Sequence, residues 1–173
     1  MQPTHSSNRI LLPVRNWFIM VTLLLALLLN LIPVGRFPGI PDWVAIALIF
    51  WCIHQPLRVG MGTAFFLGLI LDAADGSVLG QHALAYVVIA FAAGGLSRRI
   101  LWFPLGHQAL QILPMLLASQ LIMLVISLIV GGEFPGLLWF LSSFVAALLW
   151  HPLTYLLLLP QFQPVERDHN RPI

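Results

Sequence analysis

The sequence predicts an all-α integral membrane protein: a compact bundle of six transmembrane helices in one domain over residues 1–173. Three observations carry the prediction. Of the residues, 60% are apolar and only 8% charged, with a mean hydropathy of +0.94. A soluble domain carries about 25% charged residues, because its whole surface must be solvated. Long stretches free of Asp, Glu, Lys and Arg recur along the chain, and the arginines between them collect on alternate connections.

A helix crossing the hydrocarbon needs roughly 20 mostly apolar residues at about 1.5 Å each. Residues 16–35, 76–97, 100–132 and 134–165 contain no Asp, Glu, Lys or Arg, and each gap holds one span. The first is expected at Trp17–Val34, and three others at Leu79–Leu96, Gln108–Val130 and Gly136–Pro160. Between the first gap and the second lie two shorter apolar runs, Trp43–His54 and Val59–Leu71, separated by Gln55-Pro56-Leu57-Arg58. Proline next to a charge marks a break, so these are not one helix. They read either as a pair of short spans or as a re-entrant hairpin that enters and leaves by one face. The pair reaches full length if the second helix begins near Ile40 and the third continues past Asp72, which makes six spans.

Orientation follows from the arginines, since cytoplasmic loops near span ends retain positive charge. With the amino end inside, the inner segments hold Arg9, Arg15, Arg58, Arg98, Arg99, Arg167 and Arg171, and the outer loops hold only Arg36. Both ends, as short tails over 1–16 and 161–173, are therefore expected in the cytoplasm. Trp17, Trp51 and Trp102 fall at inner span ends and Trp43 and Trp139 at outer ones, where indole N–H groups prefer the headgroup level. Trp150 lies mid-span and must pack inside the protein or against lipid tails. The first span is read as retained, because its apolar core exceeds that of a cleaved leader and Pro33-Val34-Gly35 is a poor cleavage site.

Every fourth residue from Gly60 gives Gly60, Ala64, Gly68, Asp72, Gly76 and Gly80. Small residues four apart let a neighbouring helix approach closely, which is how helices associate in lipid. On a helix of 3.6 residues per turn the stripe drifts about 40° per step, so it is continuous over about three positions, such as Ala64–Asp72. Asp75-Gly76-Ser77 reads as a helix end and turn. The stripe is either plain membrane packing or packing plus a docking face for a partner. Asp72 and Asp75 share one helical face. A carboxylate near hydrocarbon is costly unless it meets water or a partner, so Asp72 reads as a proton site, a ligand contact, a cap for the fourth helix or a headgroup-level residue. Arg58 and Asp72 are candidates for the polar contacts of a pocket. Pro152 lies within the last span, frees a backbone carbonyl one turn earlier and predicts a kink.

Enzyme chemistry is not expected. Asp72, Ser77 and His82 are the residue types of a hydrolytic triad, yet Gly76-Ser77-Val78-Leu79-Gly80 is not a G-x-S-x-G elbow. There is no H-E-x-x-H and no phosphate-binding glycine loop. The six histidines show no metal-ligand spacing, and Cys52 is the sole cysteine, so no metal or other cofactor is expected. Scattered arginines argue against nucleic acid as a partner.

The residues Pro41-Asp42-Trp43, Gln55-Pro56-Leu57-Arg58-Val59-Gly60-Met61-Gly62, Gly68-Leu69-Ile70-Leu71-Asp72 and Gly76-Ser77-Val78-Leu79-Gly80 resemble the MreD family of rod shape-determining membrane proteins. Asp72, Gly76, Leu79 and Gly80 carry the spaced pattern; Trp150 and Pro152 match in the last helix. Where relatives often carry an asparagine before that proline, Ser142–Leu149 offers only serines as polar residues.

The resemblance implies a six-helix bacterial inner-membrane protein, similar in fold to the substrate-binding subunits of energy-coupling-factor transporters. It also implies work in the cell-elongation complex with an MreC-like partner, MreB, RodA and the elongation transpeptidase, in support of peptidoglycan synthesis. The expected role is non-enzymatic, with the third helix around Ala64–Asp72 forming the docking face or supporting the hairpin that does. A small-molecule transporter or substrate-capture subunit is the alternative.

Overall fold

The computed structural model describes residues 14–32 and 39–159. They form α1 (Asn16–Leu31), α2 (Trp43–His54), α3 (Met61–Asp75), α4 (Gln81–Leu101), α5 (Leu105–Ile129) and α6 (Leu141–Leu158), with a single 3₁₀ turn at Leu137–Phe140 leading into α6. Among the described residues there is no strand. Three of these segments are long and apolar enough to cross a membrane: Gln81–Leu101, Leu105–Ile129 and Leu137–Leu158. Residues 1–13 and 160–173 of the tails expected in the cytoplasm, with Arg9, Arg167 and Arg171, the outer-loop Arg36, and the expected span ends Val34 and Pro160, lie outside the described residues.

Each boundary has a local cause. α1 stops at Leu31 because Ile32 precedes a proline, which disfavours helical backbone, and is extended (φ −67°, ψ 122°). α2 begins at Trp43, not near Ile40 as expected. Asp42 is extended and its carboxylate accepts from Ala45 N–H at 3.0 Å, a side-chain cap that ends the helix there. α3 opens on Gly60, whose N–H donates to Thr63 Oγ1 at 3.1 Å, and runs three residues past Asp72. It is closed by Gly76 in the left-handed region (φ 63°), where only glycine sits without cost. α4 places Arg98 and Arg99 in its last turn, against the negative end of the helix dipole.

α2 is the axis of the bundle. Val44 to Ile53 are all buried, which a helix apolar on every side requires. α1, α4, α5 and α6 pack around it, and α3 lies outside, against α4 and α1. At 12 residues α2 is about 18 Å long, but it faces protein, so its length need not match the hydrocarbon. Its ends are tied to the ends of α1. Asn30 Nδ2 donates to Asp42 Oδ1 at 2.8 Å at one end, and the Arg58 guanidinium donates to the Val14 carbonyl at the other. With its flanking turns, α2 therefore covers the same height as α1. α2 and α3 do not pack along each other, unlike the arms of a hairpin.

Trp51, expected at an interface, is fully buried instead, with its indole N–H donating to Thr22 Oγ1 at 2.9 Å across α1 and α2. Its position at the axis overrides its position in the sequence. Trp150 is inside the protein, against Phe50, with Nε1 3.4 Å from Gln108 Oε1. Trp17 and Trp102 are exposed.

The exterior of the bundle is apolar, with Phe66, Phe91, Leu110, Leu121 and Leu148 all exposed. A soluble monomer does not expose contiguous apolar surface on this scale. The charges divide by end: among the described residues Arg15, Arg58, Arg98 and Arg99 lie at one end, and Asp42, Asp72, Asp75 and Glu133 at the other.

Candidate functional site

The stripe of small residues is where α3 meets α4. Ala64, Gly68 and Asp72 are buried. A Cβ at Gly68 would stand 2.5 Å from Ala83 N and 2.7 Å from the His82 carbonyl carbon, so only a glycine lets the two backbones approach this closely. The stripe ends as it leaves the helix: Gly60 caps α3, Gly76 closes it, and Gly80 (φ 98°) opens α4. The chain's own α4 covers the Ala64–Asp72 face, the placement of a seam that supports the α3–α4 hairpin.

Asp72, only 1% exposed, gathers five donors from the turn and first residues of α4. Oδ2 accepts from Gly80 N–H at 2.8 Å and Ala83 N–H at 3.4 Å. Oδ1 accepts from His82 N–H at 2.8 Å, Ser77 Oγ–H at 3.0 Å and His82 Nδ1 at 2.8 Å. The N-terminal N–H groups of a helix have no intrahelical acceptor, and a carboxylate there is also favoured by the dipole. Of the roles open to Asp72, this geometry is that of a cap for α4. Ser77 and His82 are beside Asp72, as a triad would have them, but both bond the carboxylate. The relay order, with the hydroxyl on the imidazole, does not occur.

Arg58 and Asp72 stand at opposite ends of α3, separated by about 16 Å of helix between Met61 and Asp72. The structure does not bring the two together. Arg58 belongs to the end where α1 begins, and Asp72 to the end where α4 begins. Pro152 is exposed within α6, which runs unbroken from Leu141 to Leu158.

A cavity of about 240 Å³ opens at the acid-bearing end, between the end of α1, the approach to α2, the start of α4, and the facing sides of α5 and α6. Asp42 forms one wall; its carboxylate is held by Asn30, by Ala45 N–H and by Tyr86 OH, which donates to Oδ2 at 2.7 Å. His82 forms the α4 wall. Across from them, Gln120 on α5 zips onto α6. Its Nε2 donates to the Trp139 carbonyl (3.1 Å) and Ser142 Oγ (2.5 Å), and its Oε1 accepts from Ser143 Oγ–H (2.5 Å). Sequence reasoning missed Asn30, Tyr86 and Gln120 because each lies alone in an apolar run. The available signal was an amide or phenol at mid-span, which lipid does not tolerate without a partner. The polar role in α6 is taken by Ser142 and Ser143.

A helical bundle with an apolar exterior, charges divided between its ends and polar groups confined to its interior defines an α-helical membrane protein. The family described as rod shape-determining protein MreD matches residues 10–162, and the chain belongs to that family. A rod shape-determining protein MreD of Haemophilus influenzae is 30% identical over 149 residues, covering 82% of this chain and 89% of that protein. No solved structure matches.

Proposed function

We propose that the protein is a non-enzymatic, multi-pass component of the cell-elongation machinery in the bacterial inner membrane. In this reading all six helices span the bilayer as one domain over 1–173, with both ends cytoplasmic. It binds an MreC-like membrane protein and acts with MreB, RodA and the elongation transpeptidase in wall synthesis and rod shape. Family membership supports the setting. The observation that carries the membrane arrangement is the division of charge among the described residues, with four arginines at one end and four carboxylates at the other, since arginine is retained on the cytoplasmic side. The ties joining both ends of α1 to both ends of α2 favour two spans over a re-entrant hairpin. The likeness to substrate-binding subunits of energy-coupling-factor transporters rests on the family resemblance alone.

Partner binding is assigned to the α3–α4 hairpin, whose inner seam holds Gly68 and Asp72 and whose outer side presents Phe65, Phe66 and Phe91 to lipid. With hydrophobicity no longer driving association in lipid, a partner span must gain contact by shape. The experiment is depletion and complementation in a rod-shaped cell, with pull-down of the MreC-like protein from membranes. Depletion rounds the cells. A Phe65→Ser, Phe66→Ser double variant accumulates normally but recovers little partner. Full partner recovery by that variant, or unchanged rods on depletion, overturns the assignment.

A further inference from the structure

We propose that the cavity at the acid-bearing end is a binding site for a primary ammonium group. The inference stands on the hydrogen-bonding capacity left inside the cavity and does not depend on partner binding. Each hydroxyl lining it directs its proton into the protein: Ser119 to the Leu116 carbonyl (2.7 Å), Ser142 to the Trp139 carbonyl (3.0 Å) and Ser143 to Gln120 Oε1 (2.5 Å). What these oxygens offer the cavity is lone pairs. A carboxylate has about four acceptor sites, and Asp42 fills three, two on Oδ1 and one on Oδ2.

His82 lines the cavity with Nδ1 committed to Asp72. Asp72 accepts from three backbone N–H groups, so it is the carboxylate, and the proton it shares with His82 sits on Nδ1. The other ring nitrogen, Nε2, has no partner among the described residues. The donors left over are the second N–H of Asn30 and the indole N–H of Trp139, which has no acceptor among the described residues.

A lining of acceptors around one carboxylate selects a ligand that donates and is positive. An ammonium supplies three donors and the charge. Among the described residues no cation lies within ion-pair distance of Asp42. Trp139 lines the same space, and its ring face attracts a cation. Leu116, Met123 and Ala146 give the apolar wall for a short carbon stem. At about 240 Å³ the space equals about eight waters of liquid volume. That suits a small amine, with a hydroxyl or ester oxygen on its stem to meet Asn30. Two sources share this chemistry: the ethanolamine head of a phospholipid and a free amine.

The test uses the full chain, purified in detergent and in phosphatidylglycerol nanodiscs, with ethanolamine as the probe and ethylene glycol as its neutral counterpart. Ethanolamine raises the unfolding midpoint saturably and ethylene glycol does not. Ala146→Leu, which fills the cavity, and Trp139→Leu each weaken the apparent affinity, the latter about tenfold, the order of a desolvated cation–aromatic contact. Asp42→Asn abolishes the response. Should Asp42→Asn or Ala146→Leu fail to fold, the wild-type comparison of the two probes still decides. If phosphatidylethanolamine nanodiscs suppress the ethanolamine response, the lipid head is the natural source. A response equal in both lipids assigns a free amine. Equal responses to ethanolamine and ethylene glycol, or none with ethanolamine in phosphatidylglycerol, overturn the proposal.

Discussion

Gly68→Ala adds one carbon at the closest approach of α3 and α4. The new Cβ falls 2.5 Å from Ala83 N, with Ala83 Cα nearer still, and ordinary contact begins at 3.4 Å, so the helices must part by at least 3.4 − 2.5 = 0.9 Å. The obstacle is backbone, which no rotamer change relieves. Asp72 lies one turn further along the same face of α3. The same displacement takes its 2.8 Å bond to Gly80 N–H towards 3.7 Å, beyond hydrogen-bond range. Overpacking costs about 1–3 kcal/mol, and each hydrogen bond to a charged group about 1.5–3 kcal/mol. A total of about 3–5 kcal/mol is expected, among the largest effects a single substitution produces.

The assay is reversible unfolding of the purified protein in mixed micelles, with Gly95→Ala as the control. A Cβ at Gly95, on α4, meets nothing within 4 Å. That change is expected to be neutral or to stabilise by up to about 1 kcal/mol through helix propensity. If Gly68→Ala unfolds within about 1 kcal/mol of Gly95→Ala, a typical surface-scale effect, the close approach and the cap it aligns are refuted.

Asp72→Asn turns one acceptor into a donor facing the N–H groups of α4. It is expected to cost about 2–4 kcal/mol and to speed amide exchange at Gly80 and His82 selectively; uniform exchange would contradict the capping role. Tyr86→Phe removes the 2.7 Å donor to Asp42 and should lower stability by about 1–3 kcal/mol in the same unfolding assay. Gln120→Ala breaks three bonds between α5 and the entry to α6. A loss of about 2–4 kcal/mol is expected, and Ser142→Ala in that background should add little, because the pair acts as one unit. In a Cys52→Ser background, Arg98→Cys should react with an impermeant thiol reagent only from the cytoplasmic side and Glu133→Cys only from outside; the reverse pattern would invert the topology.

Much of the arrangement follows from composition and local chemistry. Scarce charge requires a membrane setting, because 8% charged residues cannot solvate a surface. The charge-free gaps mark the long helices, and the order of arginines marks the ends. Pro33 ends α1, Gly76 closes α3, and Asp42 caps α2, each through backbone chemistry within a few residues.

Tertiary structure alone decided which surfaces are taken. Gly60, Ala64, Gly68, Asp72, Gly76 and Gly80 are evenly spaced in sequence, yet three lie in the α3–α4 seam and three cap or close helices. Spacing along one helix carries no record of which neighbour fills the groove. Trp51 and Trp17 both lie near the inner ends of apolar runs as expected from sequence, and only packing around α2 buries the first and leaves the second exposed. The cavity was invisible for the same reason. Asn30, Asp42, His82, Gln120 and Ser143 come from five segments, and each is satisfied by a partner on another segment. Hydropathy measures how strongly a residue avoids water. Which other residue satisfies it is settled when the helices pack.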